Sequence, residues 1–97
     1  MWVAVLRLNL AIPGARSLKD RRQAVKSLKE RLIQRFSVAC AEVDDGESWT
    51  RASLGLSACS NEKSYLENLL QEIARYAGND SGALLGKVEQ DIFRFES

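Results

Sequence analysis

The stretch Trp2-Val-Ala-Val-Leu-Arg-Leu-Asn-Leu-Ala-Ile12 decides the fold. Trp2, Ala4, Leu6, Leu8, Leu10 and Ile12 fall on one side of an extended chain; Val3, Val5, Arg7, Asn9 and Ala11 fall on the other. Period-two alternation sustained over this length predicts a strand with one face against a core. Arg7 and Asn9 interrupt the apolar run and no basic leader precedes it, so it reads as a strand and not as a secretory signal. Pro13-Gly14 ends it.

Beyond that break, Ser17-Leu-Lys-Asp20 has the form of a helix start, with Ser17 as N-cap and Asp20 answering at the third helical position. Leu18, Val25, Leu28, Leu32 and Phe36 follow at helical spacing and form the expected buried stripe, and the helix is expected to fade near Arg35. Residues 37–43, short and rich in small and β-branched side chains, read as a strand, and 44–48 (Asp-Asp-Gly-Glu-Ser) as a turn. Residues 49–59 alternate again, with Ala52, Leu54, Leu56 and Ala58 on one face and Arg51, Ser53, Gly55 and Ser57 on the other. Ser60 or Asn61 is expected to cap a second helix carrying Leu66, Leu69, Leu70, Ile73 and Ala77, with Gly78 as its terminating glycine. A loop over 79–82 and a last strand within 83–95 complete the chain.

The order is strand, helix, strand, strand, helix, strand. Two βα units joined through a hairpin give an α+β, ferredoxin-like βαββαβ sandwich, a four-stranded antiparallel sheet with both helices on one face. Right-handed crossovers put the first and third strands in the middle and the second at an edge. At 97 residues, 45% of them hydrophobic, residues 1–97 are expected to form a single domain. One sheet face is left uncovered beside a free edge, a common place for self-association, so a homodimer is an expectation.

Several chemistries are excluded by composition. The chain has no His, which removes imidazole triads, His metal sites and histidine pH switches. Cys40 and Cys59 supply too few ligands for zinc, so no metal and no cofactor are expected. With the hairpin turning near 44–48, Cys40 is expected to face residue 52 or 53, which leaves Cys59 on the order of 20 Å away along the strand. Two buried or half-buried free thiols in a reducing, cytoplasmic setting follow. No run of twenty apolar residues occurs, so no membrane span is expected.

The net charge of +1 conceals a segregation. Residues 1–35 hold nine Lys and Arg against two acidic residues, and residues 36–97 hold five against eleven.

Val5-Leu-Arg-Leu-Asn-Leu, Pro13-Gly14, Arg16-Ser-Leu-Lys-Asp-Arg-Arg22, Val25-Lys-Ser-Leu28, Arg35-Phe36, Ala41-Glu-Val-Asp44, Trp49-Thr-Arg-Ala52 and Leu54-Gly55 resemble the YlxP-like proteins over nearly the whole chain. The run from Ser17 to Arg22 is the most specific part, and the resemblance weakens after Val88. These are small bacterial proteins grouped as a domain of unknown function. The resemblance implies a ferredoxin-like fold and a cytoplasmic home. Genes of the family often lie beside those for ribosome-binding factor A and translation initiation factor 2. That implies a link to ribosome assembly or translation by association, and it supplies no catalytic residues.

The first helix holds the leading candidate site. With its apolar stripe inward, Lys19, Arg22, Lys26 and Lys29 share an outer stripe, Arg16 precedes it, and Arg21 and Arg31 flank it. Such a row suits RNA phosphates or an acidic surface, so RNA or the ribosome is the expected partner. The bland alternative is a solvated face that keeps the protein soluble. Arg16, Ser17 and Lys19 at the helix start form a weaker candidate anion site, although a plain N-cap explains Ser17 without a ligand. Acylphosphatases use this corner of the same fold, but their glycine-rich phosphate loop and paired Arg and Asn are not reproduced, and no enzyme is expected.

The open face, assigned Val3, Val5, Arg7, Asn9, Arg51, Ser53 and Gly55, holds no aromatic for stacking bases and suits a dimer seam or a small ligand better. Asp44-Asp-Gly-Glu47 reads as a turn and not a calcium loop, Glu42 and Asp44 as ordinary charged strand-end residues, and Trp49 as packing at the turn.

Overall fold

The computed structural model describes residues 1–96. Its elements are β1 (Trp2–Ala11), α1 (Leu18–Phe36), β2 (Ala39–Glu42), β3 (Arg51–Ser60), α2 (Lys63–Gly78) and β4 (Leu84–Arg94). All pairings are antiparallel in the order β2-β3-β1-β4, so the alternating strand that opens the chain lies in the centre and β2 and β4 are the edges. This is the expected βαββαβ α+β sandwich.

One face of β1 (Ala4, Leu6, Leu8, Leu10) and one of β3 (Ala52, Leu54, Leu56) are buried against Val25, Leu28 and Leu32 of α1 and Leu66, Leu70 and Ile73 of α2. Fully burying a Leu contributes about 1.5–3 kcal/mol, so this layer is the principal favourable contribution to folding. The two helices also meet through an edge-to-face Phe36–Tyr76 pair, with ring centroids 5.9 Å apart.

The helix ends follow local chemistry. Ser17 Oγ accepts from the Asp20 amide at 3.1 Å, satisfying one of the free donors at the start of α1, and Asp20 Oδ2 accepts from the amide of Arg16, just before the cap, at 3.0 Å. At its far end Ser37 takes the left-handed conformation (φ 53°) that glycine ordinarily supplies, and its amide donates to the Ile33 carbonyl. The second helix departs from expectation. Its N-cap is Glu62 with no side-chain cap bond, because Ser60 ends β3 and spends its hydroxyl on the Glu62 amide. Gly78 is its last helical residue and not a left-handed cap; Asn79 closes the helix.

The hairpin register also differs. Eight residues separate β2 from β3, so Cys40 pairs with Leu56 and not with residue 52 or 53. Both thiols are free, but only Cys40, on the inward side with Leu56, is half-buried as expected; Cys59 pairs with Val3 on the outward side and is exposed. On the other flank of β1, Gly86 and Lys87 together oppose Asn9, a bulge that shifts the β4 register. An added Cβ on Gly86 would stand 3.4 Å from the Asn9 carbonyl oxygen, at the edge of ordinary contact. No helix among the described residues is long and apolar enough to cross a membrane.

Candidate nucleic-acid interface and the open sheet face

The first helix lies between two neighbours. On one flank Arg31 reaches past α2, its Nη2 2.7 Å from Asp80 Oδ1 and its Nη1 3.3 Å from the Tyr76 hydroxyl. Burial pushes the Asp80 carboxyl up, but Arg31 and the Ala83 and Gly82 amides outweigh it and hold Asp80 below the usual carboxylate range. The other flank runs beside β2, where the Lys29 charge reaches the Cys40 thiol; burial nonetheless pushes that thiol up.

Lys19, Arg22, Lys26 and Lys29 occupy this second flank. At 100° per residue they fall within a sector of roughly 80°, and they span about 15 Å along the axis. Lys19, Arg22 and Lys26 are exposed and Lys29 is half-buried. Their one ion pair among the described residues joins Lys26 Nζ to Glu30 Oε1 at 3.9 Å, with both side chains well exposed, so it hardly restrains the lysine. Arg16 is exposed at the end of the row. The candidate anion site of Arg16, Ser17 and Lys19 surrounds a helix start whose Ser17 hydroxyl and Asp20 carboxylate already serve the cap.

Two arginines expected beside the row are elsewhere. Arg31 belongs to the opposite flank, as described. Arg21 is 1% exposed and continues the core stripe below Val25 and Leu28. Its Nε donates to the Arg51 carbonyl at 2.9 Å, and its Nη2 lies 2.5 Å from Glu42 Oε1 and 2.7 Å from Asp44 Oδ1. Glu42 and Asp44, read from the sequence as ordinary charged strand-end residues, instead neutralise a buried guanidinium. Burial pushes Asp44 up, but the Ser53 and Gly46 amides and the Arg21 charge together hold it below the usual range. Gly46 takes φ 72° in this loop, a left-handed conformation that disfavours other residues. The seven-residue gap between Leu18 and Val25 in the apolar stripe was the signal for Arg21, since helical spacing demands an inward residue there.

The uncovered sheet face carries a second set of features. Ser53 Oγ donates to Asn9 Oδ1 at 2.9 Å, and Asn9 Nδ2 donates to Glu89 Oε1 and the Lys87 carbonyl, both at 3.0 Å, a polar chain across three strands. Ser53 is itself buried. Beside it lies a shallow depression of about 720 Å³ over Gly55 and Ala41, walled by Val43, Val5 and Arg7. Val43 leans across the sheet, so a Cβ on Gly55 would stand 2.7 Å from its Cγ1. The expectation that this face lacks aromatics fails at β4, where Phe93 pairs with Val3 on the outward side and is 42% exposed. Phe95 continues the row, bonded to Met1 through the backbone. Trp49 is exposed at 55% and does not pack at the turn.

The family model described as "Protein of unknown function (DUF503)" matches residues 3–90. The chain belongs to the DUF503 family. The uncharacterized protein YlxP of Bacillus subtilis (strain 168) is 31% identical over 85 residues, covering 88% of this chain and 87% of that one. The matched span of the DUF503 model takes in the basic flank of α1, the Arg21 cluster and most of the open face, and it stops before Phe93 and Phe95. Among solved structures, the de novo designed protein Foldit4 superposes with a TM-score of 0.53 at 16% identity, covering 98% of both chains. That likeness concerns the fold alone.

Proposed function

We propose that this DUF503 protein is a non-enzymatic RNA- or ribosome-associated factor whose contact surface is the outer flank of α1. The observation that carries the reading is the row Arg16, Lys19, Arg22, Lys26 and Lys29, which stays largely free of carboxylates while Arg21 and Arg31 are spent inside the fold. A straight row about 15 Å long, with cations one turn apart, matches a run of backbone phosphates and reads charge and shape instead of bases. The open face is the poorer RNA surface, because Glu89 and Asp91 stand on it beside Phe93. The translation-linked gene neighbourhood of YlxP-like proteins is consistent with this assignment.

The test is binding to ribosomal subunits and structured RNA across a salt series, beside a Lys26→Glu/Lys29→Glu variant with an unchanged unfolding midpoint. Saturable binding near physiological salt that the variant loses is the expected result. Equal binding by both proteins, or association with any polyanion at low salt only, overturns the reading.

A further inference from the structure

We infer that the open sheet face is an isologous interface that binds a second copy of this chain, with Arg7 of each copy on Asp91 of the other. This goes beyond the proposed RNA contact and uses the opposite side of the molecule.

Arg7 and Asp91 are diagonal neighbours on β1 and β4, since Arg7 pairs with Glu89 and Val5 with Asp91. Both are exposed, and neither forms an ion pair among the described residues. Glu89 is already engaged by Asn9. Beside the Glu89 carboxylate, which keeps its charge, the face thus presents Arg7 and Asp91 as a neighbouring cation and anion without ion partners, an arrangement that pairs with its own copy and is unsuited to a partner of uniform charge.

Shape follows from the same operation. A two-fold axis lying in the interface and bisecting the Arg7–Asp91 line lays each of these residues on its opposite number. On an idealised sheet, with strands about 4.8 Å apart and same-face residues about 6.7 Å apart, this rotation carries Phe93 to within roughly 3 Å, in projection, of Gly55. Gly55 and Ala41 form the floor of the depression, and Val43 leans over Gly55 from its side. An exposed aromatic ring on one copy therefore meets the depression of the other beside the Val43 methyls, in the operation that pairs the charges. The strands of the two sheets cross at about 70°, nearer the orthogonal than the aligned way in which sheets pack.

The experiment is sedimentation velocity on the full chain from 1 to about 200 μM, a range that reports dissociation constants typical of weak homodimers. The intact protein is expected to show a dimer. Arg7→Asp alone sets Asp against Asp91 and Asp91→Arg alone sets Arg against Arg7, so each is expected to raise the dissociation constant at least about tenfold. Mixing the two variants makes every cross-copy pair complementary and is expected to restore a dimer, which an intrachain effect cannot do. Phe93→Ala, at an exposed site, is expected to weaken the dimer without lowering the unfolding midpoint. A monomer for the intact protein throughout, an unweakened dimer in either charge variant, or a mixture that stays monomeric overturns the inference.

Discussion

Arg21 Nη2 lies 2.7 Å from Asp44 Oδ1 and joins the core stripe of the first helix to the hairpin loop between the two strands that follow it. Through Asp44 the link extends to the Ser53 and Gly46 amides, so one carboxylate fixes both the loop and the start of the β3 pairing.

A buried charge that loses its partner costs far more than the pair contributes. Arg21→Ala leaves Glu42 and Asp44 facing each other beside an empty cleft, and is expected to destabilise the fold by about 3–5 kcal/mol in urea denaturation. Arg21→Met, which keeps the volume, should cost clearly less when made together with Asp44→Asn than when made alone. Equal losses in the two backgrounds would count against coupling between the residues.

The same carboxylate, with Asp80, sets an acid limit. Both groups sit below their ordinary range when folded, so the native state binds fewer protons than the unfolded chain. Their stabilisation is complete above the unfolded value near ~4 and is lost as the pH falls through the depressed folded values. Asp44→Asn and Asp80→Asn are expected to be less stable at neutral pH and to show a flatter decline below about pH 4. Thermal unfolding followed by circular dichroism between neutral pH and pH 2 checks the slope.

Gly55 is confined by Val43. Gly55→Ala places a methyl inside the 2.7 Å approach of Val43 Cγ1 and is expected to cost about 1–3 kcal/mol. Val43→Ala in the same chain should recover most of the loss. A double-mutant cycle in urea measures the coupling, and a coupling of zero would show that Val43 swings aside freely.

If the α1 flank meets phosphates, removing its cations singly should change salt dependence in steps. Lys19→Ala or Arg22→Ala should each lower the slope of log K against log salt by about 0.7–0.9 in RNA binding, while Arg35→Ala, on the α2 side, should not. Equal slopes for all three would place the contact elsewhere.

Where one periodicity dominated, the sequence was legible. The β1 alternation and the Ser17–Asp20 cap are borne out, as are the inward faces of β1 and β3, because a half-buried strand and an amphipathic helix each write their exposure directly into residue spacing. Arg21 escaped because residue type was read before position, and a long cation on a core stripe is accommodated only by carboxylates that arrive more than twenty residues later. The Cys40 register failed because the hairpin loop is stitched by Asp44 and not by a tight turn, so its length is set by side-chain bonds. Phe93 was missed because the bulge opposite Asn9 breaks the period-two pattern of β4, and without the phase its outward row has no reader.

The central position of β1 also bears on how the fold is reached. Its neighbours are β3 and β4, so the first strand to be synthesised is completed by the last. Pairs such as Trp2 with Arg94 and Val3 with Phe93 must close a loop of nearly the whole chain before they contribute anything. While the chain emerges from a ribosome, the edge of β1 that β4 will cover stays unpaired, and the sheet is completed only when β4 arrives. Any strand-like segment that pairs with that edge early competes with β4 for the same hydrogen bonds, so the vulnerable interval is the one before the last strand is free.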